Sequence, residues 1–130
     1  MLGLGTMVDL DADTIKIALL SSSYTPDFDA HDFFDDITNE VSNSGTYAAG
    51  GATLSVTLTQ DNTDDEGVFD ATDVSWTTAT ITARYAVIYK STGVASTSPL
   101  ICLIDFGSNQ SSSSGTFAIT FAAEGILNIN

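Results

Sequence analysis

His31, the only histidine of the chain, stands in DAHDFFDD (29–36), among carboxylates that favour its protonated form. A general base must be neutral, so the setting suits a surface histidine better than a catalytic one. Cys102, the only cysteine, lies inside the apolar run PLICLIDF (99–106), where a thiol packs as a small inert hydrophobe. It leaves no internal disulfide to form. The chain has no G-x-S-x-G nucleophile elbow, no glycine-rich phosphate loop and no zinc spacing of Cys and His. DLDAD (9–13) and DNTDDEG (61–67) begin like calcium loops, but Thr14 and Glu66 fall where an EF-hand needs glycine. A loose, exposed cation site or a turn with solvated acids remains. A carboxylate pair for glycoside hydrolysis is defined by separation in space, and nothing in the sequence singles one out. Trp76 offers a sugar-stacking platform in principle, yet a lone tryptophan on a short strand reads first as packing. The expectation is a protein without catalytic residues, cofactor or metal.

One charge asks for a different explanation. Arg84, the only arginine, sits in the middle of TITARYAVIYK (80–90), and Asp105 interrupts the apolar run 99–106. An eight-residue loop, 91–98, joins the two runs as an antiparallel hairpin. If Lys90 faces Pro99, then Tyr85 faces Ile104, Val87 faces Cys102 and Tyr89 faces Leu100, forming one apolar face. Arg84 then lies across from Asp105 on the other. Registers of the same parity would keep the faces and move the partner. A buried charge requires a partner, so Arg84 and Asp105 are expected to form a structural ion pair that clamps the sheet.

The elements that position these residues follow period two, the mark of strands with one buried face. TIKIALL (14–20), ATLSVTLTQ (52–60), TITARYAVIYK and TFAITF (116–121) alternate, while 99–106 is apolar on both faces like a central strand. Shorter candidates are GVFDA (67–71), DVSWT (73–77) and ILNI (126–129). Between them lie SNSGTYAAGG, DNTDDEG, STGVASTS and SNQSSSSG, all rich in turn residues. Only TPDFDAHDFFDDITNE (25–40) reads helical, with Asp27 or Asp29 as cap and Phe33 and Ile37 four apart. The pattern predicts an all-β domain: an antiparallel β-sandwich or Greek-key barrel of about seven to eight short strands, with one short helix near residues 27–38.

The 130 residues suit a single domain, and no apolar stretch approaches the about 18 residues that cross a bilayer. The formal net charge of −14 disfavours nucleic acid and anionic membrane surfaces as partners. The first thirteen residues read as an arm and 14–130 as the β-domain. Leu2, Leu4, Met7, Val8 and Leu10 are spaced by glycines in neither helical nor strand rhythm. The arm either orders against a neighbouring subunit or partner, adding a strand to a sheet edge, or packs as the first edge strand of its own domain.

Three stretches carry a family resemblance: IKIALLSSSYTPDFDAHDFFDDITNEVS, VFDATDVSWTTATITARYAVIYKSTG and SPLICLIDFG, the last followed by SSSSGTFAITFAAEGILNI. Together they resemble small structural proteins of tailed bacteriophages, most specifically in TITARYAVIY, LIDFG and EGIL. The resemblance implies a non-enzymatic virion component. Its expected role is a capsid decoration (cement) protein, a homo-oligomer (a trimer first of all) bound to the major capsid protein. Its place would be the capsid exterior, and the host cytoplasm during assembly. The alternatives are a phage tail or baseplate component, or a carbohydrate-binding β-sandwich module; a hydrolase with paired carboxylates has least support.

Overall fold

The computed structural model describes residues 8–123 and 125–129. Among them seven strands form: β1 (Ile15–Leu20), β2 (Ala52–Thr53), β3 (Val56–Asp61), β4 (Glu66–Ala71), β5 (Val74–Lys90), β6 (Leu100–Ile119) and β7 (Leu127–Ile129). They make two antiparallel sheets, one in the order β2-β1-β5-β6 and one in the order β3-β4-β7. The all-β, antiparallel, sandwich-like class expected from the alternation is the class observed.

β1 shows how the layers arise. Its odd-numbered residues Ile15, Ile17 and Leu19 enter the main core, where they meet Phe69 and Ala71 of the smaller sheet and Trp76, Ile81 and Ile88 of β5. Its even-numbered Ala18 and Leu20 enter a second cluster with Tyr24, Val87 and Tyr89, covered by Phe34 and Ile37. The large sheet is therefore buried on both faces at this end: by the small sheet on one side and by residues 24–37 on the other.

Several local expectations are corrected. The alternating run 52–60 is two strands, because the chain leaves the large sheet after Thr53 and joins the small one at Val56. Leu54 stays buried at that corner, whereas Leu58 ends up 44% exposed in the middle of β3. DVSWT and TITARYAVIYK are one strand, and so are PLICLIDF and the turn-like SNQSSSSG. Small polar residues there continue the ladder: Ser112 pairs with Ile81, Ser111 with Thr82 and Gln110 with Ala83. The Thr82 and Ser111 hydroxyls meet at 3.0 Å. This long ribbon is bent. The rings of Phe106 and Phe117 lie 6.4 Å apart, where a straight strand would separate them by roughly 36 Å.

The helix expected near 27–38 shrinks to one 3-10 turn, Phe34–Asp36. Its physical cause is competition for the backbone. Asp27 accepts the N–H groups of Asp29 and Ala30, both at 3.1 Å, and closes a turn that does not propagate. Residues 32–34 are then drawn alongside the start of β6: Phe34 N–H donates to Ser98 at 2.9 Å, and Leu100 N–H to Asp32 at 2.9 Å. Phe34 and Ile37 reach the second cluster, in place of the Phe33 and Ile37 pair that helical spacing suggested.

The hairpin register also differs. Tyr89 faces Leu100 as expected, but Ile88 faces Cys102, Val87 faces Leu103, Ala86 faces Ile104 and Tyr85 faces Asp105. A register shift between Ile88 and Tyr89 produces the slip, and a second between Ala83 and Tyr85 displaces the ladder further beyond Tyr85. Each bulge moves later residues to the opposite face. Tyr85, Val87 and Tyr89 therefore share their face with Leu100 and Leu103, while Cys102 and Ile104 pack in the main core.

Candidate functional site

The residues singled out for chemistry fall in three places. Arg84 and Asp105 do meet: Nε donates to Oδ1 at 2.7 Å and Nη2 to Oδ2 at 3.2 Å, a bidentate geometry. They are diagonal neighbours at the bulge rather than direct partners, since Asp105 faces Tyr85. Their side chains are 30% and 51% exposed, so the pair is not the buried clamp that the sequence suggested. Each partner favours the other's charged form, holding the Asp105 carboxyl below its ordinary range. Asp105 Oδ1 also accepts the Gly107 N–H at 2.7 Å and so fixes the bulge.

Trp76 is only 2% exposed and packs edge-on to Tyr47, with ring centroids 5.2 Å apart. It is a core residue and cannot stack on a sugar, which removes the one feature that favoured a carbohydrate site. In DLDAD, Asp9 accepts the N–H groups of Asp11 and Ala12, and Asp13 accepts Asp9 N–H at 2.7 Å. Asp13 also binds Lys90 at 2.9 Å, which lowers its pKa. Those oxygens serve the fold. Val8 and Leu10 are half-buried against the main core, whereas Leu2, Leu4 and Met7 lie outside the described residues.

His31 and Cys102 come to one place, an apolar pocket of about 250 Å³ between residues 24–37 and the start of β6. Val87, Leu100 and Leu103 supply much of its apolar lining, and Tyr24, His31 and Asp27 a polar wall. His31 is half-buried rather than free on the surface, and its Nδ1 is 2.8 Å from the Tyr24 hydroxyl. Burial, then the charges of Asp27 and Asp36, raise the pKa of that phenol. Burial pushes the Cys102 thiol up to about 11, so it stays protonated at neutral pH. An activated thiol would need the opposite shift. What the pocket offers is apolar contact and one hydrogen-bonded polar pair.

Two features here were missed in the sequence. Phe28 lines the pocket although 71% of it is exposed, and as a lone aromatic between aspartates it gave no periodic signal. The second is the polar link under the loop 40–51. There Glu40 accepts the Tyr47 hydroxyl at 2.7 Å and Gly50 N–H at 2.6 Å, while Tyr89 donates to the Gly50 carbonyl at 2.7 Å. Only the tyrosines, scattered along the sequence, hinted at it. Comparison with models of known families, with curated proteins and with solved structures finds no match for this chain.

Proposed function

We propose that this chain is a non-enzymatic virion protein, a capsid decoration protein that binds the major capsid protein on the outer face of the shell as a homo-oligomer. The observation that carries the reading is an adhesive surface without activated chemistry. The pocket beside β6 joins apolar walls to the exposed Phe28, while its imidazole is tied to a phenol and the Cys102 thiol, turned into the main core, is held protonated. An apolar concavity with an exposed aromatic at its rim fits contact with another macromolecule. The sequence resemblance to phage structural proteins gives that macromolecule its class. A net charge of −14 supports an exterior position, since packaged nucleic acid repels so acidic a domain.

The test is quantitative mass spectrometry of purified particles. A decoration protein should be present at a copy number comparable to that of the major capsid protein, and antibodies against it should label intact heads. A stoichiometry of only a few copies would assign it to the tail, and absence from particles would overturn the virion reading.

A further inference from the structure

The pocket adjoins a sheet edge that is covered at its start and, beyond that, by no other described strand. Residues 32–34 pair with 98–100 along the side of β6 away from β5. Beyond Leu100 no described strand pairs on that side, because β6 ends the order of its sheet. An uncovered edge presents backbone N–H and C=O groups ready to accept another strand. Of the usual protections, β6 lacks lysine and proline and has Asp105 as its one charge, which leaves the bulges opposite Ile88/Tyr89 and Ala83/Tyr85. Just where cover ends, Ile101, Cys102 and Leu103 line the pocket, and Phe28 lines it from the facing segment.

Charge selects what fits. Residues 27–36 hold five aspartates, at 27, 29, 32, 35 and 36, with His31 and no lysine or arginine among them. Asp32, whose backbone holds Leu100, has a buried Oδ1 with no hydrogen-bond partner among the described atoms. A carboxylate oxygen left in that state is stabilised by an incoming donor.

From these observations we propose that the β6 edge from Ile101 onward and the adjoining pocket form a strand-addition site for an extended partner segment carrying an apolar anchor flanked by lysine or arginine. The backbone of the segment continues the ladder begun by residues 32–34. Its anchor fills the pocket under Phe28, and its cations face the aspartates of 27–36. Main-chain bonding then supplies affinity, and the pocket and carboxylates supply selection. The site deepens the docking role proposed above by naming the partner's chemistry.

The test uses the full chain and a capped extended peptide with a central valine and a lysine two residues to either side, so that all three side chains share one face. Two control peptides replace lysine by glutamate, or the central valine by proline. Binding is read by calorimetry and by amide hydrogen exchange. The lysine peptide should bind saturably and slow exchange between residues 101 and 106. Phe28→Ser, at a 71% exposed position, should weaken it about tenfold, and Asp64→Asn in the distant β3–β4 turn should leave it unchanged. Equal binding of the proline peptide would overturn strand addition. Equal binding of the glutamate peptide, or protection spread over the acidic surface without effect at 101–106, would overturn the site. These readouts come from the isolated protein, so they stand or fall separately from its place in a particle. A site that binds in a protein absent from capsids refutes only the virion role; a capsid protein whose edge ignores the peptide refutes only this site.

Discussion

Tyr47 is 1% exposed, and its hydroxyl accepts the Leu19 N–H at 3.0 Å while donating to Glu40. Its pKa is raised, with burial as the largest cause. Tyr47→Phe keeps the ring and removes the oxygen, leaving the N–H of the fully buried Leu19 without that partner. An orphaned buried N–H costs about 1–3 kcal/mol. Urea unfolding should show a loss of that order; an unchanged midpoint would mean that water replaces the hydroxyl. Arg84 and Asp105 call for the opposite expectation. Because both are partly exposed, their coupling in a double-mutant cycle should be small and should shrink further in salt. A large, salt-insensitive coupling would restore the buried clamp. That the two would find each other was legible, since so few bases serve so many acids. Their register was not, because a bulge adds a residue without any periodic signature.

At the scale of elements, the legible parts were those where alternation met a burial demand, as in β1 and β4. The misread parts were those where a local polar side chain or a tertiary partner overrode the pattern. Asp27 closed a turn inside a helix-like segment, and the β5 ladder carried SNQSSSSG through as strand. The loop before β2 imposes a sharper condition. Gly51 has φ of +74° and lies against the Ile17 carbonyl, so a Cβ there would collide with the backbone of β1. Gly51→Ala combines that clash with a left-handed conformation that alanine disfavours. It should lower the melting temperature sharply or abolish soluble folding. Gly93→Ala is the matched control, with φ of +86° and open space around it. Equal losses in the two variants would show that conformation alone, and not the contact with β1, sets the cost.

For the whole molecule, charge decides the response to pH. Asp13, Asp36 and Asp105 have folded-state pKa values lowered from 3.8, each chiefly by a hydrogen bond: from Lys90, from the Phe33 N–H and from Arg84 respectively. A carboxylate lowered by folding contributes stability that is present above its unfolded pKa and lost as pH falls through the folded one. These three therefore weaken the fold only below about pH 4. Against them stands the self-repulsion of a −14 chain, relieved as other carboxylates begin to protonate. Melting temperature should hold or rise from pH 7 toward about 4.5 and then fall below about 4, by little for these three screened carboxylates. A steady decline from neutral pH would mean that a base held neutral in the folded state controls stability. Fold class was readable at this scale because sheet alternation is written along the whole chain. The pocket was not, because it is assembled from Phe28, His31 and residues 101–103, which only the pairing of 32–34 with 98–100 brings together.

The most direct measurement of the proposed role is a density map of the intact particle into which the β-domain is fitted. The expected result is the domain repeated across the outer surface of the capsid lattice, with β6 and the Phe28 pocket turned toward a neighbouring chain. Density for the domain in the tail alone, on the inner face against packaged nucleic acid, or nowhere in the particle would contradict it.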